Sequence, residues 1–197
     1  MRLVLATRND HKLRELGPLL VPHELVPLTP GLELPPEVGE TFRENALGKA
    51  RAAVALTGSV GLGEDSGIQA VALGGAPGVR SARYAGEHAG DAENLAKLLR
   101  EVSPQNDTRA AYACALAAIW PDGTEICVEG RCSGRLTHQP RGEGGFGYDP
   151  AFVPDDLPGG RTMAEISGEE KSSISHRGRA ARALLDRLEA VERIEGT

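Results

Sequence analysis

The chain has 197 residues, 40% hydrophobic and 25% charged, proportions that suit one folded domain and exclude a largely disordered chain. Its net charge of −6 gives no basic field for nucleic acid, so a polyanionic ligand has to be held by a local cluster of cations or by metal ions. Cys114, Cys127 and Cys132 lack C-x-x-C spacing, which predicts reduced structural thiols and neither a disulfide framework nor a zinc site.

Arg2-Leu3-Val4-Leu5-Ala6 is a short apolar run suited to a buried strand, and Thr7-Arg8-Asn9-Asp10 after it is able to cap a helix. The run is too short for a signal peptide or a membrane span, and the expected location is the cytoplasm. Leu13, Leu16 and Leu20 keep helical spacing, with a helix end expected near Gly17-Pro18 or at Leu20. Leu25-Val26 begins a second extended piece, followed by a Pro-rich loop over residues 27–36. Thr41-x-x-Glu44 is a capping box, and Phe42, Ala46, Ala50, Ala53 and Val54 form the apolar face of a helix that stops at Gly58. Residues 60–62 and 68–73 read as strands flanking Gly63-Glu64-Asp65-Ser66-Gly67, which predicts an acidic turn inside a hairpin or at a sheet bend.

Further along, Asp91 is expected to cap a helix carrying Leu95, Leu98, Leu99 and Val102. Residues 109–120 and 125–131 read as an antiparallel pair joined by Pro121-Asp122-Gly123, although the alanines between 110 and 118 leave helix and strand periodicity ambiguous. Gly142-Glu143-Gly144-Gly145-Phe146-Gly147 fits G-x-G-x-x-G by letter, but Asp149-Pro150 blocks the helix that a dinucleotide fingerprint requires, and no P-loop pattern exists. Capping boxes at Thr162-x-x-Glu165 and Ser167-x-x-Glu170 precede a long helix with Ala181, Leu184, Leu185, Leu188 and Val191 inward.

Four polar clusters remain: residues 7–12, 37–49, 64–66 and 171–177. Lys12, Lys49, Lys171 and Arg177 supply cations, Asn9 and Ser66 neutral hydrogen-bond partners, and Glu37, Glu64 and Asp65 hard oxygen ligands, a combination that suits a magnesium-bound polyphosphate. Taken singly, each member also has an ordinary structural use: Lys12 and Lys49 as solvated helix residues, Glu44 and Asn45 as parts of a cap, His176, Phe146 and Tyr148 as packing residues.

In order and wording the clusters resemble the inosine triphosphate pyrophosphatase family, whose members hydrolyse non-canonical purine nucleoside triphosphates. The resemblance runs from Leu5-Ala6-Thr7-Arg8-Asn9-x-x-Lys12 through Glu37-x-Gly39-x-Thr41-Phe42-x-Glu44-Asn45-Ala46-x-x-Lys49-Ala50, Glu64-Asp65-Ser66-Gly67, Gly75-Ala76-Pro77-Gly78 and Ser81-Ala82-Arg83-Tyr84 to Gly145-Phe146-Gly147-Tyr148-Asp149-Pro150 and Lys171-x-x-x-Ser175-His176-Arg177-Gly178. Arg8 stands where glycine or serine is frequent, and Glu64 replaces the first of two aspartates common in bacterial members.

The resemblance implies an α/β fold with an elongated mixed sheet flanked by helices. It also implies one two-lobed nucleotide pyrophosphatase domain over residues 1–197 with an active-site cleft between the lobes, and a homodimer. It implies cleavage of ITP, dITP or XTP to the monophosphate and pyrophosphate with Mg2+. By the same match Asp65, Lys49 and Lys12 would be catalytic, and Glu37 and Asp65 would hold metal. Thr7, Arg8, Asn9, Asp10, His11, Lys12, Ser66, Phe146, Gly147, Tyr148, Asp149, Lys171, His176 and Arg177 would bind substrate, with Phe146 against the base. Arg177 or Lys171 would donate to the C6 carbonyl of inosine or xanthosine, where adenosine presents an amino group. Two other readings stay open: a related pyrophosphatase with another base preference, and a catalytically silent nucleotide-binding protein. Neither nucleic acid nor membrane is an expected partner.

Overall fold

A computed structural model describes residues 1–7, 9–29 and 31–195. Arg8, predicted to touch substrate, therefore lies outside the described residues. Among these, six strands form one sheet: β1 (Arg2–Leu5), β2 (Glu24–Pro27), β3 (Gly61–Ala70), β4 (Arg109–Ile119), β5 (Glu125–Leu136) and β6 (Phe152–Pro154), in the order β2-β1-β3-β4-β5-β6. β1 runs parallel to β2 and β3, with Val4 opposite Gly61 and Leu5 opposite Leu62, whereas β5 and β6 are antiparallel. Helices α1 (Asp10–Leu19), α2 (Phe42–Thr57), α3 (Asp91–Val102), α4 (Gly168–Ile174) and α5 (His176–Glu195) complete the mixed α/β fold expected from the sequence.

The chain divides into two compact units. Unit 1 takes Met1–Asp65, Cys114–Gly130 and Arg177–Thr197; unit 2 takes Ser66–Ala113 and Arg131–His176.

In unit 1 the period-2 alternation of β4 sends its side chains to two different cores. Cys114, Leu116 and Ala118 join Leu3, Leu5, Leu62, Leu16 of α1 and Ala181, Leu184 and Leu188 of α5. Ala115, Ala117 and Ile119 join Ala46 and Ala50 of α2. A strand buried on both faces needs no polar alternation, which is why the alanine run reads ambiguously in sequence. Small side chains here let α2 come close. That helix begins with the predicted box, Thr41 Oγ1 accepting from Glu44 N and Glu44 Oε2 from Thr41 N, and ends at Gly58 with φ +65, a left-handed cap that suits glycine.

The acidic turn predicted at residues 63–67 is instead the middle of a continuous ten-residue strand, β3. The glycines that suggested turning have another use. A Cβ on Gly63 would stand 1.9 Å from the Ala46 carbonyl oxygen and one on Gly61 2.2 Å from that of Ala50, so the strand lies directly against the α2 backbone. Neither glycine has a positive φ.

Unit 2 has its own core: Ile68 and Ala70 of β3, Leu95, Leu98 and Val102 of α3, Tyr112, Cys132, Leu136, Phe152 and Met163. Gly90, not Asp91, holds the N-cap position of α3. Asp91 is the first helical residue, and its carboxylate accepts from Gly147 N at 2.7 Å, tying α3 to the glycine-rich loop. Of the two capping boxes predicted before α5, that at Ser167/Glu170 is fully formed, whereas at Thr162 only Glu165 Oε2 accepts from Thr162 N, since Thr162 Oγ1 donates to the Arg141 carbonyl instead.

Candidate active site

Successive residues of a strand point to opposite faces, so the Glu64 and Asp65 carboxylates, adjacent in sequence, take different direct partners within unit 1, while Lys12 still acts on Asp65 and Glu64 on Lys49 through their charges.

Asp65, 4% exposed, points toward α2. Its Oδ1 pairs with Lys49 Nζ at 3.1 Å and its Oδ2 accepts from Asn45 Nδ2 at 3.0 Å. Asn45 and Lys49 are four residues apart and so lie on one helix face. Lys49 Nζ also donates to the Glu64 carbonyl at 3.0 Å and meets Glu37 Oε1 at 2.5 Å. One ammonium thus gathers both carboxylates expected to hold metal. Asn45 Oδ1 accepts from Gly39 N at 2.8 Å, fixing the loop that carries Glu37. Burial pushes the Asp65 carboxyl above the ordinary 3.8; Lys49 opposes the rise, Glu37 adds to it, and Asn45 and Lys12 oppose it. For Lys49, burial acts to lower the value, but Asp65 and Glu37, aided by Glu64, outweigh it, and the net direction is upward. The ammonium stays charged.

Glu64, 1% exposed, faces the other way. Its Oε2 meets Lys12 Nζ at 2.5 Å, and its Oε1 accepts from Arg177 Nε at 3.0 Å and lies 3.6 Å from Cys114 Sγ. Arg177 continues to Glu15 Oε2 through Nη1 at 2.8 Å. Burial would lower the Arg177 value, but Glu64, Glu15 and Cys114 raise it further, so this guanidinium is a fixed charge. Cys114 is driven well above 9.0 by burial and by Glu64, which makes it an inert thiol. α1 enters this network through its cap: Asn9 Oδ1 accepts from His11 N and Lys12 N, and Thr7 Oγ1 from Asn9 N. Asp10 and His11 are exposed in the first turn.

A second polar centre lies in unit 2. Asp149, 2% exposed, accepts from Lys171 Nζ at 2.6 Å and Phe146 N at 2.9 Å through Oδ2, and from Tyr112 Oη at 3.1 Å through Oδ1. Lys171 Nζ sits 5.0 Å from the Phe146 ring centroid, a cation–π contact. Gly145, at φ +70, permits the loop to wrap the carboxylate: a Cβ there would be 2.1 Å from Asp149 Oδ2. Tyr148 donates to the Ser81 carbonyl at 2.8 Å, and Gly147 N is held by Asp91. Buried His176 stacks on Tyr112, and Ser66 is half-buried on β3. Phe146 and Gly147 also line an open groove of about 590 Å³ against α3.

The structure thus gathers Glu37, Lys49 and Asp65 at one centre, Lys12 and Arg177 on Glu64, and Phe146, Asp149 and Lys171 at another. Sequence reasoning missed Glu15, Asn45 and Tyr112 as members. Glu15 and Asn45 had a signal, three residues after Lys12 and four before Lys49; Tyr112 had none beyond its place in an apolar run. No group of three or more His, Cys, Asp or Glu that could hold a metal is found among the described residues. The Glu37–Asp65 pair still fits Mg2+, which typically takes one or two carboxylates and completes its shell with water and substrate phosphates. No helix among the described residues is long and apolar enough to cross a membrane.

A family model described as the Ham1 family matches residues 3–187. A dITP/XTP pyrophosphatase of Mycolicibacterium paratuberculosis is 45% identical over 203 residues, covering 98% of each chain, and one of Symbiobacterium thermophilum is 48% identical over 194 residues, covering 96% of each. Among solved structures, a HAM1 protein from Coxiella burnetii has a TM-score of 0.86 at 38% identity, covering 96% of this chain and 99% of that one.

Proposed function

The chain belongs to the Ham1 family, and from that premise we propose that it hydrolyses ITP, dITP and XTP to the nucleoside monophosphate and pyrophosphate, removing them from the nucleotide pool. The observation that carries this reading is the buried Asp65 carboxylate, held by Lys49 and Asn45 and sharing its lysine with Glu37. A polyphosphate suits these groups, and a purine suits Phe146 and Lys171.

Asp65 orients the attacking water and takes its proton, a role favoured by a carboxyl whose burial makes it more basic than a free aspartate. Lys49 and Lys12 neutralise charge that builds on the phosphates as the α-β anhydride breaks. Glu37 and Asp65 would hold Mg2+, which supplies Lewis-acid polarisation of the phosphate oxygens when bound. Phe146 offers its ring to the base. Of the two donors expected at the C6 carbonyl of hypoxanthine or xanthine we take Lys171, because its ammonium stands over the Phe146 ring that is offered to the base, whereas Arg177 is held by Glu64 and Glu15. Adenine would turn an amino donor toward that ammonium, a mismatch that strongly penalises the wrong substrate. We further take the enzyme to act in the cytoplasm and to be a homodimer, the latter tested by sedimentation of the purified protein.

The deciding assay is pyrophosphate release from ITP, dITP, XTP, GTP and ATP with Mg2+ and after chelation. ITP, dITP and XTP should exceed ATP in kcat/KM by roughly a hundredfold, with activity lost on chelation and restored by Mg2+. Equal values across the panel would sink the selectivity, and turnover in chelator would remove the metal.

A further inference from the structure

Tyr112 lies on β4 in unit 2 and is 7% exposed. Its hydroxyl donates to Asp149 Oδ1 at 3.1 Å. Its ring lies parallel to the His176 imidazole, with centroids 4.6 Å apart and planes 6° apart, and meets Phe152 edge-on at 4.8 Å. The ring position is therefore set by the core, and the hydroxyl is delivered to Asp149 from a fixed platform.

The consequence falls on Asp149. Its other oxygen holds both Lys171 Nζ and Phe146 N. A carboxylate with donors on one oxygen only is free to turn about its terminal torsion, which is broad and shallow. A donor on Oδ1 blocks that turning, and in a buried site its loss leaves an acceptor unmatched. Turning Asp149 would carry the Lys171 ammonium with it and loosen the backbone of Phe146. The same tyrosine supports the plane of His176.

We propose that Tyr112 is a specificity-determining positioning residue, which through Asp149 holds Lys171 and Phe146, and through its ring holds His176, in the arrangement that reads the C6 carbonyl of a purine. This rests on the functional reading above and adds to it a residue that touches no substrate atom.

The test measures binding of IMP and AMP to the wild type, Tyr112→Phe, Asp149→Asn and the double variant by calorimetry, with the melting temperature of each. Tyr112→Phe keeps the stacking and removes only the hydroxyl. The ratio of IMP to AMP affinity should fall by about tenfold in Tyr112→Phe, a difference of about 1.4 kcal/mol, and the double variant should discriminate no worse than Asp149→Asn alone. A Tyr112→Phe protein whose ratio stays within about twofold of wild type overturns the proposal, whatever its melting temperature. So does a double variant whose losses multiply. Asp149→Asn is an independent check, since wild-type discrimination in that variant removes the carboxylate through which Tyr112 acts. A wild type that prefers IMP but hydrolyses no ITP defeats the functional reading and leaves the Tyr112 comparison to be judged on its ratio. A wild type without IMP preference overturns both.

Discussion

Asp65 has a carboxylate whose ionisation burial opposes, with Lys49 holding one oxygen and Asn45 the other. Asp65→Asn keeps the volume but turns an amide donor toward either Lys49 or Asn45, and it should fold while losing roughly a hundred- to ten-thousandfold in kcat; near-normal turnover would take Asp65 out of the chemistry. The pH dependence has a definite sign. Asp65 is needed ionised, and its value lies above that of a free aspartate, so activity falls on acidification through that raised value. The Asn45 donor favours the ionised form. Asn45→Ala should therefore move the acid limb of kcat/KM to higher pH, and a limb that stays in place would show that Asn45 does not tune Asp65. Sequence identified Asp65 and Lys49 through their motifs, but not the partner of each oxygen. The capping box accounts for Glu44 and draws attention away from Asn45 beside it. Arg177 reads in sequence as a nucleotide ligand, and only the fold reveals Glu15 and Glu64 as its partners, because Glu64 lies 113 residues away and Glu15 162.

The pairing of α2 with β3 does most to build the unit 1 centre, since α2 brings Asn45 and Lys49 and β3 brings Asp65. Two glycines with opposite surroundings test that contact. Gly63→Ala would place a methyl 1.9 Å from the Ala46 carbonyl oxygen, which forces helix and strand apart. It should destabilise by about 1–3 kcal/mol and reduce kcat as well. Gly48 lies inside α2 with nothing within 4 Å of an added Cβ. Gly48→Ala should stabilise by about 0.5–1 kcal/mol. Urea unfolding and turnover of the two variants check both, and a Gly63→Ala protein as stable and active as wild type would refute the close-approach account. The helices were legible because caps and 3.6-residue spacing are local signals: the boxes at Thr41 and Ser167 formed in full, and that at Thr162 in its Glu165 half. β3 was misread because glycine has two uses, turning and close approach, and only the neighbour α2 tells which applies.

For the whole molecule, apolar spacing and caps marked most helices and strands and the α/β class came with the family resemblance, but the points where the chain passes from one unit to the other were not marked. The crossings fall between Asp65 and Ser66, Ala113 and Cys114, and Gly130 and Arg131, all inside strands, and between His176 and Arg177 at the start of α5. No linker composition marks such points. The net charge of −6 does predict that a triphosphate is poorly held without a divalent cation. An ITP analogue with a non-hydrolysable α-β bridge, at a hundred times its dissociation constant with Mg2+, should stabilise the fold by about 2.7 kcal/mol. That corresponds to a rise of roughly 5–10 °C in melting temperature. The same analogue with chelator should give a much smaller shift, and equal shifts would remove the metal from binding.

The contact of β3 with α2 also bears on how this protein tolerates mutation. A library of single variants selected for nucleotide turnover should deplete every substitution at Gly61 and Gly63 about as strongly as those at Asp65, although neither glycine has a side chain to offer a ligand. Variation that tunes the centre is then confined to residues that leave the strand–helix spacing intact, and a map of intolerant positions would trace that spacing before it traced the chemistry.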